Sequence, residues 1–372
     1  MLFRNIWQQV ALVVAVGVMF AGIQVAAQTS GAVYVNGNEN PGNQVWSYAR
    51  AADGTLTLAG SFATQGNGAG TAVLGSQGSL ALAPNGKYLY VVNASSNDIT
   101  AFAAQPGGML SFVGRYPSGG KFPDSLGIYG SVLYVLNKVS DQITAFRVSA
   151  ATGALKPLSG STRNLSGTHV GGAQVSFNAD GTLLTVVEHL SSKIDTYTVS
   201  ADGRATGPQV FASSGVRPQG FAFDNKGHLL VSEAQPSAES SYSVSSGGQV
   251  QVITGTLRDL GLSGCWVANT NNANFPTQYS YVTNTDSDTV SGYNIATDGS
   301  LSLLDPSNGI TAQLPAKAHP LDEVISSDSN YLYVLEAHLP GVGAYKINSD
   351  GSLTQVQTVT GTPRTAYGMT GN

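Results

Sequence analysis

The chain has 372 residues, 45 of them glycine, and only 10% are charged. So few charges cannot solvate the outer faces of a helical bundle, whereas a chain rich in Gly, Ser, Thr and Val suits short strands joined by tight turns. The net charge of −5 comes without a basic stripe, which speaks against binding nucleic acid through its phosphates.

The first thirty residues stand apart. Arg4 supplies a positive charge, Val10 to Ile23 is a nearly unbroken apolar run, and Val25-Ala26-Ala27 offers the small residues a signal peptidase reads. The run falls short of the roughly 20 residues a membrane helix needs. The expectation is a signal peptide over 1–27 and one domain over 28–372, secreted or periplasmic, with no membrane span after cleavage. A retained anchor is the alternative.

From residue 32 onward two signals recur in step. An apolar strand closes on Asn or Glu at Asn36, Asn93, Asn137, Glu188, Glu233, Asn284 and Glu336. Each is followed by an alternating strand, such as Ile99-Thr100-Ala101-Phe102, and then by a turn ending in Gly54, Gly108, Gly153, Gly203, Gly248, Gly299 or Gly351. Glycine suits these turns because they need positive φ. The spacings between the turn glycines are 54, 45, 50, 45, 51 and 52. Small apolar strands precede the units, as in Ser79-Leu80-Ala81-Leu82-Ala83, Val175-Ser176-Phe177 and Phe221-Ala222-Phe223. A unit of this length with four strands predicts an all-β fold, a seven-bladed β-propeller with four antiparallel strands per blade. The first unit lacks an inner strand, and Thr365 to Met369 looks like the missing one. It should pair beside residues 31–36 and close the ring, which removes exposed sheet edges. A solenoid would need polar capping repeats, and none is visible.

In such a ring the inner strands start, and the second strands end, at one rim, where ligands commonly sit over the central channel. Candidate groups there are the seven strand-end Asn and Glu residues and their neighbours Lys138, His189 and His338. At the entries to inner strands stand His169, Arg217, Gln219, His319, Asp322 and Glu323. The competing reading of the Asn/Glu series is structural: each satisfies backbone groups at its own strand end. Cys265 is the only cysteine, so no disulfide can form within the chain, and a buried, inert thiol is expected. Asp286 and Asp288 lack the spacing of a calcium loop. Neither a metal nor a cofactor is expected.

The wording "PNGKYLYVVNASSNDITAF" within Ala81–Phe102 resembles the lactonase-type seven-bladed propellers, a family of 6-phosphogluconolactonases and carboxy-muconate lactonizing enzymes. Ala173–Tyr197 and Pro218–Glu233 share the layout, and the resemblance spans essentially the whole chain after the leader. It implies a rim site of one His, two Arg and one Glu. Glu233 matches that Glu; Arg217 lies near one Arg, whose aligned position is Gln219; the His falls on Ala173 and the other Arg on Thr285.

Two functions are compatible with these readings. One is an exported lactonase opening a non-phosphorylated sugar or organic-acid lactone, with Glu233 or Glu188 as base and His189 or His338 sharing the proton work. Arg217 would hold the oxyanion or a carboxylate, and Gln219, Asn284, Glu336, Lys138, His319 and Asn137 would bind substrate. The other is a non-catalytic extracellular propeller for a carbohydrate, peptide or protein, with the loop Val267 to Gln278 as a recognition loop. The partner expected first is a small-molecule lactone or carbohydrate, and the chain is expected to be a monomer.

Overall fold

In the computed structural model, which describes residues 29–71, 74–271 and 275–372, the units fold into seven antiparallel sheets. The signal peptide expected over 1–27 lies outside the described residues. Along each blade burial falls from the middle outward. The second strand of blade 2, Tyr88–Asn93, is buried at every position because neighbouring blades cover both its faces. The outermost strand Leu110–Pro117 is only exposed or half-buried after its first residue. That is why the second strands read as unbroken apolar runs and the outer ones do not.

The innermost strands of blades 2 to 7 are Leu80–Leu82, Pro123–Tyr129, Gly172–Phe177, Val216–Phe223, Gly264–Asn269 and Pro320–Ile325. Blade 1 takes its innermost strand from the other end of the chain. Met369–Gly371 pairs with Thr29–Asn36 in the register Val33↔Gly371, Tyr34↔Thr370 and Val35↔Met369. Arg50 Nε donates to the Asn372 carbonyl at 3.0 Å, and Asn372 Oδ1 accepts from Ala32 N at 2.8 Å. The ring thus closes where the sequence predicts, but the strand begins at Met369, where it was expected to end. Tyr367 is held by the Asn36 carbonyl at 2.9 Å and packs its ring against Trp266 near the axis, so the segment before Met369 turns across the mouth of the channel.

The two recurring signals of the sequence bond to each other across blade boundaries. Where a tyrosine stands three residues before the strand-end Asn or Glu, its hydroxyl donates to the turn glycine of the next blade. Tyr90 reaches Gly153 at 2.9 Å, Tyr134 reaches Gly203 at 3.0 Å, Tyr281 reaches Gly351 at 2.8 Å, and Tyr333 reaches Gly54 around the ring at 3.0 Å. Gly54 has φ 82°, and a Cβ there would sit 2.2 Å from the Tyr331 ring, so both backbone and space require glycine.

The axis is not an open pore. The segment Leu74–Gly78 crosses it. The Gln77 amide donates to Val267 O at 2.7 Å and accepts from Val267 N at 3.1 Å, which ties it to blade 6. Its backbone N–H donates to Ala173 O of blade 4, and Trp266 Nε1 donates to Ser76 O at 3.1 Å. On the far side the channel opens into a second hollow of about 270 Å³, where Asp322 and Glu323 lie. The loop expected over Val267 to Gln278 is shorter than predicted. Val267–Asn269 belong to the inner strand of blade 6, paired with Ser280–Val282. The loop's described residues 270–271 and 275–277 lie where an inner strand ends, at the rim opposite the strand-end Asn and Glu residues.

Several acids are buried between blades. Burial pushes the Glu239 carboxyl up to about 8, with Asp259 and Glu233 adding repulsion against the pull of a 2.6 Å hydrogen bond from Ser280. Burial raises Asp322 and Glu336 to about 7.

Candidate functional site

Over the crossing segment, at the rim where inner strands start and second strands end, lies a cavity of about 610 Å³. Its floor is apolar: Trp266, Leu321, Ala366 and Tyr367. Its wall carries Lys138, His189, Gln219, Cys265, Asp286, His319, His338 and Arg364. Five residues singled out in the sequence (Lys138, His189, Gln219, His319 and His338) thus meet in one place.

The strand-end series does not join them. Glu188 accepts from Ser166 N at 2.9 Å and from Ser166 Oγ at 2.6 Å, and also bonds Ser191. Glu233 accepts from Ser213 Oγ at 3.0 Å and Gly215 N at 2.6 Å. Asn137 donates to Thr144 Oγ1 at 3.1 Å, and Asn284 to Ser291 Oγ at 2.8 Å. Glu336 is buried beside Gly343 and Tyr345 of its own blade. Of these five side chains, expected to act on or bind substrate, four are committed by hydrogen bonds to their own blades and loops, and Glu336 is buried within its blade with no hydrogen-bond partner among the described residues. The physical reason is the two-residue period of a strand. The last residue of each second strand turns into the blade stack, and the residues just after it face the channel. Lys138, His189, Thr285 with Asp286, and Ala337 with His338 occupy those following positions in the cavity wall.

Arg217, expected as an oxyanion or carboxylate holder, is exposed outside the wall, with its backbone N–H on Ser192 Oγ at 3.1 Å. His169 is drawn to Asp141 through its own N–H at 2.7 Å and does not line the cavity. Asp322 and Glu323 belong to the hollow on the far side.

The imidazoles of His319 and His338 stack with centroids 4.0 Å apart and planes 4° from parallel. Burial, then the neighbouring His338, lowers the pKa of His319; Asp286 and Asp288 oppose this. His319 is therefore neutral at pH 7 and able to accept a proton. Burial, with the Lys138 and Arg217 charges, brings His189 down to about 4. The Lys138 ammonium is largely spent on the crossing segment: it donates to Leu74 O at 2.6 Å and Gly75 O at 3.1 Å and lies 3.6 Å from Asp124. Arg364 donates one Nη to His338 O at 2.9 Å and is otherwise exposed at the mouth. Cys265 lines the cavity half-buried, packed against the core beneath it. Burial pushes its pKa up to about 12, and it stays protonated.

Sequence reasoning missed Cys265, Trp266, Asp286, Arg364 and Tyr367 as wall and floor residues. The first two would have come from placing an inner strand in blade 6. Asp286, two residues past Asn284, lies beyond the strand and has no signal in its period, and the last two would have come from starting the closing strand later.

The sequence model described as lactonase, 7-bladed beta-propeller matches residues 25–170 and 161–260. A search of curated proteins gives no significant match. Among solved structures, the periplasmic gluconolactonase of Pseudomonas aeruginosa superimposes with a TM-score of 0.69 at 16% identity, over 92% of this chain and 98% of that one. A Bacteroides fragilis protein described as a 6-phosphogluconolactonase gives 0.71 at 17% identity, over 94% and 99%. A Lactobacillus plantarum protein gives 0.73 at 17% identity, over 93% and 99%. At these identities the likeness is one of fold.

Proposed function

Because the chain belongs to the lactonase seven-bladed β-propeller family, we propose that it hydrolyses a non-phosphorylated lactone in the cavity at the channel mouth. The observation that carries this reading is the stacked His319–His338 pair in the wall of that cavity. Neutral His319 takes a proton from a water as that water attacks the lactone carbonyl. Asp286 and Asp288 favour the imidazolium that results. The Arg364 guanidinium at the mouth is the candidate to receive the developing oxyanion. Collapse of the tetrahedral intermediate breaks the ring ester bond, the ring oxygen takes the proton from His319, and a hydroxy acid is released. A secreted or periplasmic location, suggested by the leading apolar segment, belongs to the same proposal.

The test is purified protein against a panel of sugar and organic-acid lactones, followed by acid release at constant pH. His319→Gln should lower kcat/KM by about 10²-fold or more. The acid limb of the parent's pH profile should fall below pH 6.5, because the base is shifted down from that value. No ring opening above background, or full turnover in His319→Gln and His338→Gln alike, refutes the proposal.

A further inference from the structure

Apart from Met109 and Tyr129, the exposed large hydrophobic side chains fall into two sets. Leu58, Phe112, Val210, Val252 and Val356 sit one per blade on outermost strands, as scattered surface residues do. Val139, Leu190, Val216, Leu260 and Leu262, each more than half exposed, stand instead on the loops and strand starts of blades 3 to 6 at the cavity rim. They form an arc on one side of the mouth. Leu190 belongs to both arc and cavity wall. Leu190 is also held in place: its N–H donates to Val170 O at 3.0 Å, and its side chain lies where a Cβ on Gly171 would come within 2.7 Å. The Arg217–Ser192 bond brings the start of the blade 5 inner strand, with Val216, against the Leu190 loop. The Leu262 carbonyl accepts from the N–H of the wall residue Asp286 at 3.2 Å. Of the cavity's own cations, Lys138 is held by two carbonyls, and Arg364 gives one N–H to His338 O and keeps the rest at the mouth for the lactone oxygen.

We infer that the site takes a lactone carrying an unbranched apolar chain, with the ring in the cavity and the chain laid over the arc at Leu190, Val216, Leu260 and Leu262. This rests on the proposed lactone hydrolysis and deepens it by naming the substrate class. An apolar chain gains by covering this arc, while a phosphorylated or fully hydroxylated ring gains nothing from it. Each methylene removed from water should raise kcat/KM by about fourfold until the chain outruns the arc.

The test uses γ-butyrolactone and its γ-alkyl homologues up to γ-decalactone, with glucono-δ-lactone as the polar comparison. The matching γ-lactams, which resist hydrolysis, are titrated by calorimetry. Affinity and kcat/KM rising with chain length, with the rise reduced about tenfold overall in Val216→Ser/Leu260→Ser and kept in Leu58→Ser, support the inference. Hydrolysis of glucono-δ-lactone with no dependence on chain length overturns the inference and leaves the hydrolytic reading standing. Lactams that bind more tightly with length while no lactone opens uphold the apolar-chain site and refute hydrolysis. Neither binding nor turnover refutes both.

Discussion

Glu239→Gln separates the charge of a buried acid from its shape. The Glu239 carboxyl is fully buried, takes one hydrogen bond from Ser280 at 2.6 Å and titrates at about 8 in the folded chain, against 4.5 when free. Below the free value both states carry the proton, and stability does not depend on this group. Between the two values the unfolded chain releases the proton and the folded chain keeps it. Stability is therefore lost as pH rises through this window, by up to about 1.4 kcal/mol per pH unit. By pH 7 the loss reaches about 3 kcal/mol. Glutamine keeps the acceptor for Ser280 and removes the titration. Its amide has a desolvation cost of its own, but that cost is the same at every pH. The readout is accordingly the change in the gap between the two melting curves. For a domain of this size 3 kcal/mol corresponds to about 4 °C. Scanning calorimetry should find Glu239→Gln gaining about 4 °C on the parent between pH 4.5 and pH 7. A gap that stays constant across that range would mean the carboxyl is ionised in the folded chain, and the reasoning would fail.

Tyr134→Phe should cost about 2 kcal/mol, because it leaves the Gly203 carbonyl and the Ala205 N–H without the hydroxyl that serves both; urea unfolding with an unchanged midpoint would count against a structural clasp. Deleting residues 369–372 should strip blade 1 of its innermost strand, lower the melting temperature by roughly 5 °C or more, and cause concentration-dependent association through the bared edge of Thr29–Asn36. Size exclusion with light scattering reads this, and a monodisperse, equally stable product would show that closure matters little.

The ring was legible because each blade states its pattern anew. The Tyr-Val strand and the Gly-ended turn looked like two independent repeats; Tyr134 and Gly203 show them to be the halves of one bond between blades. The site was legible to within one residue. Ending a strand at the rim brings Glu233 there, but only the strand's phase decides whether a side chain faces the axis or the stack, and a one-residue error exchanges the two. His189 was recovered because it stands next to Glu188. Cys265 and Trp266 were not, because the blade 6 inner strand Gly264–Asn269 was not recognised and its second half was read as part of a loop. Gln77 could not have been foreseen, since the blades it joins lie more than 90 residues away in the chain.

Among the described residues, the segment that carries Gln77 gives the ring the form of a cup, its floor tied to blades 4 and 6. A molecule lying over His319 and His338 is separated by that segment, among the described residues, from the hollow holding Asp322 and Glu323. A molecule still lying on Trp266 blocks the next arrival, and the two compete for the same space however differently they are charged.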